Sequence, residues 1–374
     1  MTGRKMSSPG EVIALLNLLA VDGIGPGTTI RLIRECGSAE SVFDASDSKL
    51  RTIHGITDRL IAPLRKVSAV AEAGQRQWEA AQEAGVEIRT YWDDNYPQLL
   101  RELETDAPAL LFIRGEFQSD ATRVAVVGTR RATAYGKRAA DELIGGLRGT
   151  GIHVVSGLAS GVDSFAHEAA LHAELVTEAV FGCGVDRIYP AGNEKLAQRI
   201  LDAGGALLSE YPIGTVHTKY TFPQRNRIIA GLSKAVIVVE APARSGAQIT
   251  AGLSIEYGRD VGAVPGPVYS VMSKGTHELI KSGAALIESP EDVLALIRTI
   301  SPVAEEKASI IELPFDLPQE ERRIIESLDA TESIHIDTLA EKMELSTGEV
   351  LSRLLMLELK GLIKQLPGKY FIRA

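Results

Sequence analysis

The stretch Phe222-Pro223-Gln224-Arg225-Asn226-Arg227-Ile228-Ile229-Ala230-Gly231-Leu232-Ser233 sets an aromatic ring and two guanidinium groups at the mouth of a helix. Rings stack on unpaired bases and guanidinium groups hold phosphates, so this segment carries the reagents for a strand of nucleic acid. Ile228, Ile229 and Leu232 add the apolar face that would seat the helix on a sheet. Four other segments place glycines just past short apolar runs. They are Val127-Gly128-Thr129-Arg130-Arg131, Ser156-Gly157-Leu158-Ala159-Ser160-Gly161-Val162-Asp163, the run from Glu240 through Ser245-Gly246 to Gln248, and Val264-Pro265-Gly266. A glycine there lets a ligand backbone approach, and a following helix offers unsatisfied N–H groups to an anion. A phosphate-rich ligand is the chemistry these turns share; closing tight turns, as in any doubly wound domain, is the plainer reading of each alone.

Other chemistries find less support. No GxxxxGK[ST] is present, and no GxGxxG follows the first strand, which argues against P-loop hydrolysis and dinucleotide binding. No Ser-His-Asp grouping or acid pair stands out. Asp163 and His167 lie at i and i+4 and read as a helix-stabilising polar pair rather than a base and its orienter. Cys36 and Cys183 are far apart, without CxxC or a histidine pair, and read as two buried thiols. No metal and no cofactor is expected.

Three regions must position these groups. Residues 1–86 read as helical, with Val21-Asp22-Gly23-Ile24-Gly25-Pro26-Gly27 as a glycine-hinged turn and Ile53-His54-Gly55-Ile56-Thr57 as a weaker copy, a tandem helix-hairpin-helix (SAM-like) domain. Such turns can offer N–H groups to phosphate or simply end helices; with only Arg31 and Arg34 nearby, a structural or partner-binding role is favoured. Residues 87–300 alternate apolar strands with helices, with a joint near Glu87 to Thr122. Strands are expected at 124–127, 153–156, 178–181, 206–209, 235–240, 261–264 and 285–287, with helices at 135–147, 162–172, 194–202, 226–232, 249–257 and 276–282. That pattern implies an α/β domain, a Rossmann-like, doubly wound, mostly parallel sheet whose ligand lies beyond the carboxyl ends of the strands. Residues 301–316 read as a linker, within a joint near Ser301 to Pro318 where Pro302, Pro314 and Pro318 bracket Glu305-Glu306-Lys307. Residues 317–374 read as a winged helix: helices at 336–343 and 348–360, a turn at Glu344 to Thr347, and a wing at 363–372 around Pro367-Gly368. Acidic residues outnumber basic ones there, and Glu349 and Glu358 lie on its third helix, so a protein contact is favoured over duplex readout.

The net charge of −9 excludes a protein that coats nucleic acid with its whole surface. A local groove is compatible with that charge, because phosphate attraction acts over roughly 8–10 Å at physiological salt. Basic residues gather at Arg130, Arg131, Lys137 and Arg138, at Lys219, Arg225 and Arg227, and at Arg244 and Arg259. Apolar runs are short and broken, and the N-terminus lacks the layout of a signal peptide, so a soluble, cytoplasmic chain without a membrane partner is expected.

Five motifs, in order and spacing, resemble the signature of the DprA/Smf family, the DNA-processing proteins of natural transformation. They are Gly128-Thr129-Arg130; Ser156 to Asp163 with Ala166-His167; Phe222 to Ile229; Ser245-Gly246-Ala247-Gln248-Ile249-Thr250-Ala251; and Ala263-Val264-Pro265-Gly266. The match runs from about Tyr91 to Ile297. The resemblance implies a non-enzymatic Rossmann-like protein that binds single-stranded DNA, works as a homodimer, loads RecA recombinase and helps displace single-strand-binding protein. It gives Arg130 a phosphate, and it sets Lys219 and Phe222 on the family's lysine and base-stacking aromatic, with Arg259 near another basic position. The DNA-binding set is thus Gly128, Thr129, Arg130, Ser156, Gly157, Lys219, Phe222, Arg225, Asn226, Arg227, Ser245, Gly246 and Arg259. Thr129 keeps the hydroxyl of the family's serine, whereas Gln248 stands where the family has leucine. Two alternatives stay open. One is a nucleotide-sensing or nucleoside-phosphate-cleaving Rossmann protein, in which Glu256 would have to serve; the other is an interaction adaptor that leaves Arg130 and Arg225 without ligand.

Overall fold

The structure, a computed structural model, describes residues 8–65, 67–298, 319–328, 334–343, 345–359, 362–366 and 368–373. The expected linker at 301–316, Glu344 of the expected turn and Pro367 of the wing lie outside the described residues. The chain divides into two compact units, Met1–Pro302 and Val303–Ala374.

The first unit begins with α1 (Pro9–Leu19), α2 (Pro26–Cys36), α3 (Ala39–Asp44), α4 (Asp47–Arg51), α5 (Asp58–Leu64) and α6 (Val67–Glu83). Ser8 caps α1 by accepting from the Glu11 N–H, and Pro9 occupies the first turn, where its missing N–H costs nothing. The two glycine turns are alike. Gly23 (φ +84°) and Gly55 (φ +83°) are left-handed, and Ile24 and Ile56 each donate to the carbonyl three residues back, at 3.0 Å. Each turn also packs on the other hairpin: a Cβ on Gly23 would lie 2.9 Å from Leu60, and one on Gly55 3.4 Å from Arg31. A Cβ on Gly27, in the first turn of α2, would lie 2.5 Å from the Thr105 carbonyl oxygen, so that helix start is committed to packing. No break in packing falls at residue 86. The buried residues of α1 and α2, such as Leu15 and Leu32, are continuous with those of the sheet, such as Leu111 and Val236.

The sheet has nine strands: β1 (Glu87–Thr90), β2 (Leu110–Gly115), β3 (Arg123–Val127), β4 (His153–Ser156), β5 (Thr177–Phe181), β6 (Ala206–Ser209), β7 (Ala235–Val238), β8 (Asp260–Ala263) and β9 (Ala285–Leu286). Their order is β1-β2-β6-β5-β4-β3-β7-β8-β9. All pairs from β6 to β9 are parallel, while β1–β2 and β2–β6 are antiparallel. The helices are α7 (Gln98–Arg101), α8 (Ala134–Gly145), α9 (Val162–His172), α10 (Glu194–Asp202), α11 (Thr221–Leu232), α12 (Gly246–Glu256), α13 (Lys274–Lys281) and α14 (Pro290–Arg298). The strands expected from 124 onward are present, as apolar runs buried on both faces require. β1 and β2 were not expected: the segment read as a joint instead adds two antiparallel strands to the sheet edge. α11 starts at Thr221 rather than Asn226, because Pro223 is tolerated in a first turn and Thr218 accepts from the Tyr220 and Thr221 N–H groups. α12 starts a turn earlier than expected, at Gly246.

At the amino ends of β3, β4 and β5, Arg123, His153 and Glu178 are buried together. Arg123 donates to both Glu178 oxygens, and His153 Nδ1 lies 3.0 Å from Glu178 Oε1. Of the two thiols expected to be buried, Cys183 is buried and Cys36 only half-buried, so Cys36 departs from that reading.

The second unit holds α15 (Gln319–Glu326), β10 (Ile334–His335), α16 (Ile336–Met343), α17 (Thr347–Leu359), β11 (Ile363–Leu366) and β12 (Tyr370–Arg373), a winged helix with strand order β10-β12-β11. Ile324, Leu339, Leu354 and Phe371 are buried in its own core. The exposed residues of α17 include Leu351, Leu355 and Met356, with Glu349 and half-exposed Arg353 one turn apart, an apolar surface of mixed charge.

Candidate functional site

The direction of strand succession reverses at β3, with β4 to β6 on one side and β7 to β9 on the other. The turns leaving β3 and β7 therefore diverge and open a crevice at the carboxyl edge. A cavity of about 690 Å3 lies there, and Gly128, Thr129, Arg130, Lys219, Phe222, Arg225, Asn226, Ser245 and Gly246 all line it. Three segments separated by up to 118 residues thus meet at one place.

The turn after β3 is shaped by Glu240, which sequence reasoning treated only as a strand end. The Thr129 N–H donates to the Glu240 carbonyl at 2.7 Å, and the Thr133 N–H and hydroxyl each donate to the Glu240 carboxylate at 2.8 Å. Gly128 has no alternative, since a Cβ would lie 2.5 Å from Val162 Cγ2. Thr129 Oγ1 accepts from the Arg131 N–H at 3.2 Å, the local use of the hydroxyl. The guanidinium of Arg130 is left exposed at the rim, where it lies 5.1 Å from the centre of the Phe222 ring. No carboxylate pairs with Arg130 or Lys219 among the described residues.

Phe222 is half-buried in an aromatic corner. Its ring centre is 5.5 Å from Tyr189 and 5.6 Å from His217, and those two rings are 3.7 Å apart. A smaller cavity of about 210 Å3, lined by Gly157, Ser160 and Tyr189, shares Arg130 and Phe222 with the first. Tyr189 and His217 were missed because neither lies in a glycine turn or a basic cluster.

Arg225 departs from its expected role as an exposed phosphate ligand. It is 4% exposed, and its Nη1 donates to the Gly157 carbonyl at 2.8 Å and to that of Val180. Burial pushes its pKa down, opposed chiefly by Asp163. Arg227 and Arg259 do not line the cavity. Arg227 pairs with half-buried Glu210, and Arg259 donates to the Leu99 carbonyl at 2.8 Å and to Glu102 at 3.0 Å. Ser156 is also buried away from the cavity, its hydroxyl donating to the Val126 carbonyl at 2.7 Å. Lys137 and Arg138 pair with Asp141 and Glu142 along their own helix. Glu256 is exposed and does not line the cavity.

The expected Asp163–His167 pair does not form. Asp163 accepts from the Gly157 and Ala159 N–H groups at 3.2 and 3.4 Å, and burial pushes its pKa up against the pull of Arg225. His167 turns instead to Thr177 Oγ1 at 2.7 Å. That hydroxyl spends its proton on the Val154 carbonyl at 2.8 Å, so Nδ1 of His167 donates and Nε2 has no partner. Burial, aided by Arg225, lowers the His167 pKa to about 3. The unfolded chain takes up this proton near pH 6.5 and the folded one does not. Stability therefore falls from pH 6.5 toward 3, by up to about 1.4 kcal/mol per pH unit. We expect chemical denaturation to show this acid loss reduced in His167→Gln relative to the parent; equal slopes in both proteins would disprove it.

Among the described residues, no group of three or more His, Cys, Asp or Glu side chains could hold a metal ion, and the cavity's chemistry is cationic and aromatic.

Comparison with known proteins matches residues 87–298 to the family described as DNA recombination-mediator protein A, and residues 312–369 to the DprA winged helix domain. Protein Smf of Escherichia coli K12 is 40% identical over 278 residues, covering 73% of this chain and 74% of the relative. The X-ray structure of DNA processing protein A from Streptococcus pneumoniae matches with a TM-score of 0.57 and 32% identity, over 78% of this chain and 98% of the other. A Helicobacter pylori DNA processing protein A structure, described in terms of its single-stranded DNA binding mode, matches with a TM-score of 0.50 and 33% identity, over 57% and 95% of the two chains.

Proposed function

This chain belongs to the DNA recombination-mediator protein A (DprA/Smf) family, and on that premise we propose that it binds single-stranded DNA in the 690 Å3 cavity. In this reading it protects the strand, loads RecA recombinase onto it as a cytoplasmic homodimer, and turns over no substrate. The observation that carries the reading is the meeting of Phe222, Arg130 and Lys219 around one cavity. Arg130 and Lys219 supply phosphate contacts, and Phe222 supplies a face for an unpaired base. The single-stranded DNA binding mode described for the Helicobacter pylori relative supports the same ligand. Single-strand-binding protein is a further partner in this picture.

Charge is consistent with a local site. The protein is acidic overall, and several other arginines are spent on Glu210, Glu102 and Glu142, which leaves the field concentrated where Arg130 and Lys219 stand unpaired. The exposed apolar residues Leu351, Leu355 and Met356 of α17, with the acidic excess of residues 317–374, favour a protein contact for the winged helix, so we assign DNA reading to residues 87–300. A nucleoside-phosphate hydrolase would need a free carboxylate in the cavity, whereas Asp163 is occupied by two backbone N–H groups and Glu256 lies elsewhere. Among the described residues no helix is long and apolar enough to cross a membrane.

Fluorescence anisotropy with a labelled oligonucleotide tests the reading. Single strand is expected to bind more tightly than duplex of equal length, with little sequence preference and no cleavage of nucleoside monophosphates. Equal or tighter binding to blunt duplex would move the site elsewhere and end the proposal. In the same assay Arg130→Ala weakens binding across all sequences and lowers the slope of log affinity against log salt by about 0.7, one phosphate contact on a single strand. An unchanged slope in a folded variant would remove Arg130 from the site.

A further inference from the structure

We propose that Arg225 and Asp163 are positioning residues for the DNA site, clamping the turn after β4 from both sides so that it seats the Thr129-Arg130 turn. The inference rests on the reading that Arg130 contacts the strand.

Three layers of contact carry it. The innermost is the backbone of Gly157, held on both sides of its Cα by opposite charges. Its N–H donates to Asp163 Oδ2 at 3.2 Å, and its carbonyl accepts from Arg225 Nη1 at 2.8 Å. The same Nη1 also donates to the Val180 carbonyl, tying the turn after β4 to the end of β5. Both side chains are buried, and a methyl group on Gly157 would overlap the guanidinium, so the fit is closed to any larger residue.

The middle layer is the rest of that turn. Asp163 also accepts from the Ala159 N–H at 3.4 Å, and Ser164 donates its hydroxyl to the Ala159 carbonyl at 2.7 Å. Gly161 has φ +86°, a conformation that side chains rarely adopt.

The outer layer reaches Arg130. The Val162 N–H donates to the Thr129 carbonyl at 3.2 Å, and a Cβ on Gly161 would overlap the Thr129 carbonyl and lie 2.8 Å from the carbonyl carbon of Arg130. The backbone of Thr129 and Arg130 therefore rests directly on a turn whose shape Asp163 and Arg225 set. A guanidinium suits this task better than an ammonium, since the planar Nη1 group aims its two N–H bonds at the two carbonyls in fixed directions. Asp163 and Arg225 carry opposite charges that favour each other's ionised forms, and the clamp acts on the strand through the Thr129-Arg130 backbone.

A double-mutant cycle tests this, with anisotropy of a labelled oligothymidylate on the full chain. The four proteins are the parent, Arg130→Ala, Arg225→Lys and the double variant, each with a thermal melt and affinities corrected to the folded fraction. Arg225→Lys is expected to weaken binding about tenfold, near 1.4 kcal/mol, when Arg130 is present. In the Arg130→Ala background it should change affinity by less than about twofold, the non-additivity of residues acting as a unit. Additive losses, with a further salt-slope decrease of about 0.7 in both backgrounds, would make Arg225 a direct phosphate ligand and overturn the proposal. A lowered melting temperature with unchanged affinity per folded molecule would make the clamp structural only, and would overturn it too. If Arg225→Lys does not fold, Asp163→Asn takes its place in the cycle with the same criteria. Failure of the underlying reading looks different: the parent does not bind, or Arg130→Ala binds as the parent does.

Discussion

Arg123→Ala is expected to destabilise the first unit by about 3–5 kcal/mol. All five guanidinium protons are engaged. Nε and Nη2 reach the two Glu178 oxygens, Nη1 reaches the Ser119 and Ala121 carbonyls at 3.4 and 3.0 Å, and Nη2 also reaches the Gln118 carbonyl. Phe117 packs on the guanidinium at 4.5 Å from its ring centre. Removing Arg123 strands Glu178, fully buried with only His153 left beside it, and frees the backbone that enters β3. A buried charge without its partner is costly, whereas a pair replaced together is often nearly neutral. The double variant Arg123→Met with Glu178→Leu should therefore recover much of the loss in a denaturant titration. A loss below about 1 kcal/mol for Arg123→Ala would show that the network contributes little.

Phe222→Ala is expected to weaken single-strand binding by about 1–3 kcal/mol with little change in salt slope, because stacking on a base is insensitive to salt. The structure adds a condition to this expectation. The ring is half-buried against Tyr189 and His217 and sits beneath Arg130, so a base reaches its face only where the guanidinium now lies. Phe222→Trp, which keeps an aromatic face, should bind far better than Phe222→Ala. If instead alanine lowers the melting temperature by several degrees and leaves the folded fraction binding normally, Phe222 is a packing residue and the stacking role fails.

Much of the site was legible in the chain. The glycine turns, the alternation of apolar runs with helices and the spacing of Phe222 from Lys219 are local properties, and each follows from backbone freedom or periodicity. Even the fate of Arg225 was written there. It stands at i to Ile228, Ile229 and Leu232 at i+3, i+4 and i+7, on the stripe that must face the sheet, so burial could have been inferred. β1 and β2 were overlooked because four and six residues between loops give too short a period to read.

What the sequence by itself determined was the architecture of strands, helices and glycine turns, and hence the edge at which a ligand must lie. Only the tertiary structure decided which cations face that ligand. Arg227 and Arg259 look as available in sequence as Arg130, but Glu210 and Glu102 come to meet them from 17 and 157 residues away. Likewise, whether Asp163 serves His167 or a peptide N–H depends on Thr177 and Gly157 arriving beside them. The physical reason is that a charged side chain is exposed or buried according to the partners that the fold brings to it, and whether 6 or 157 residues intervene, spacing along the chain does not say which partner arrives.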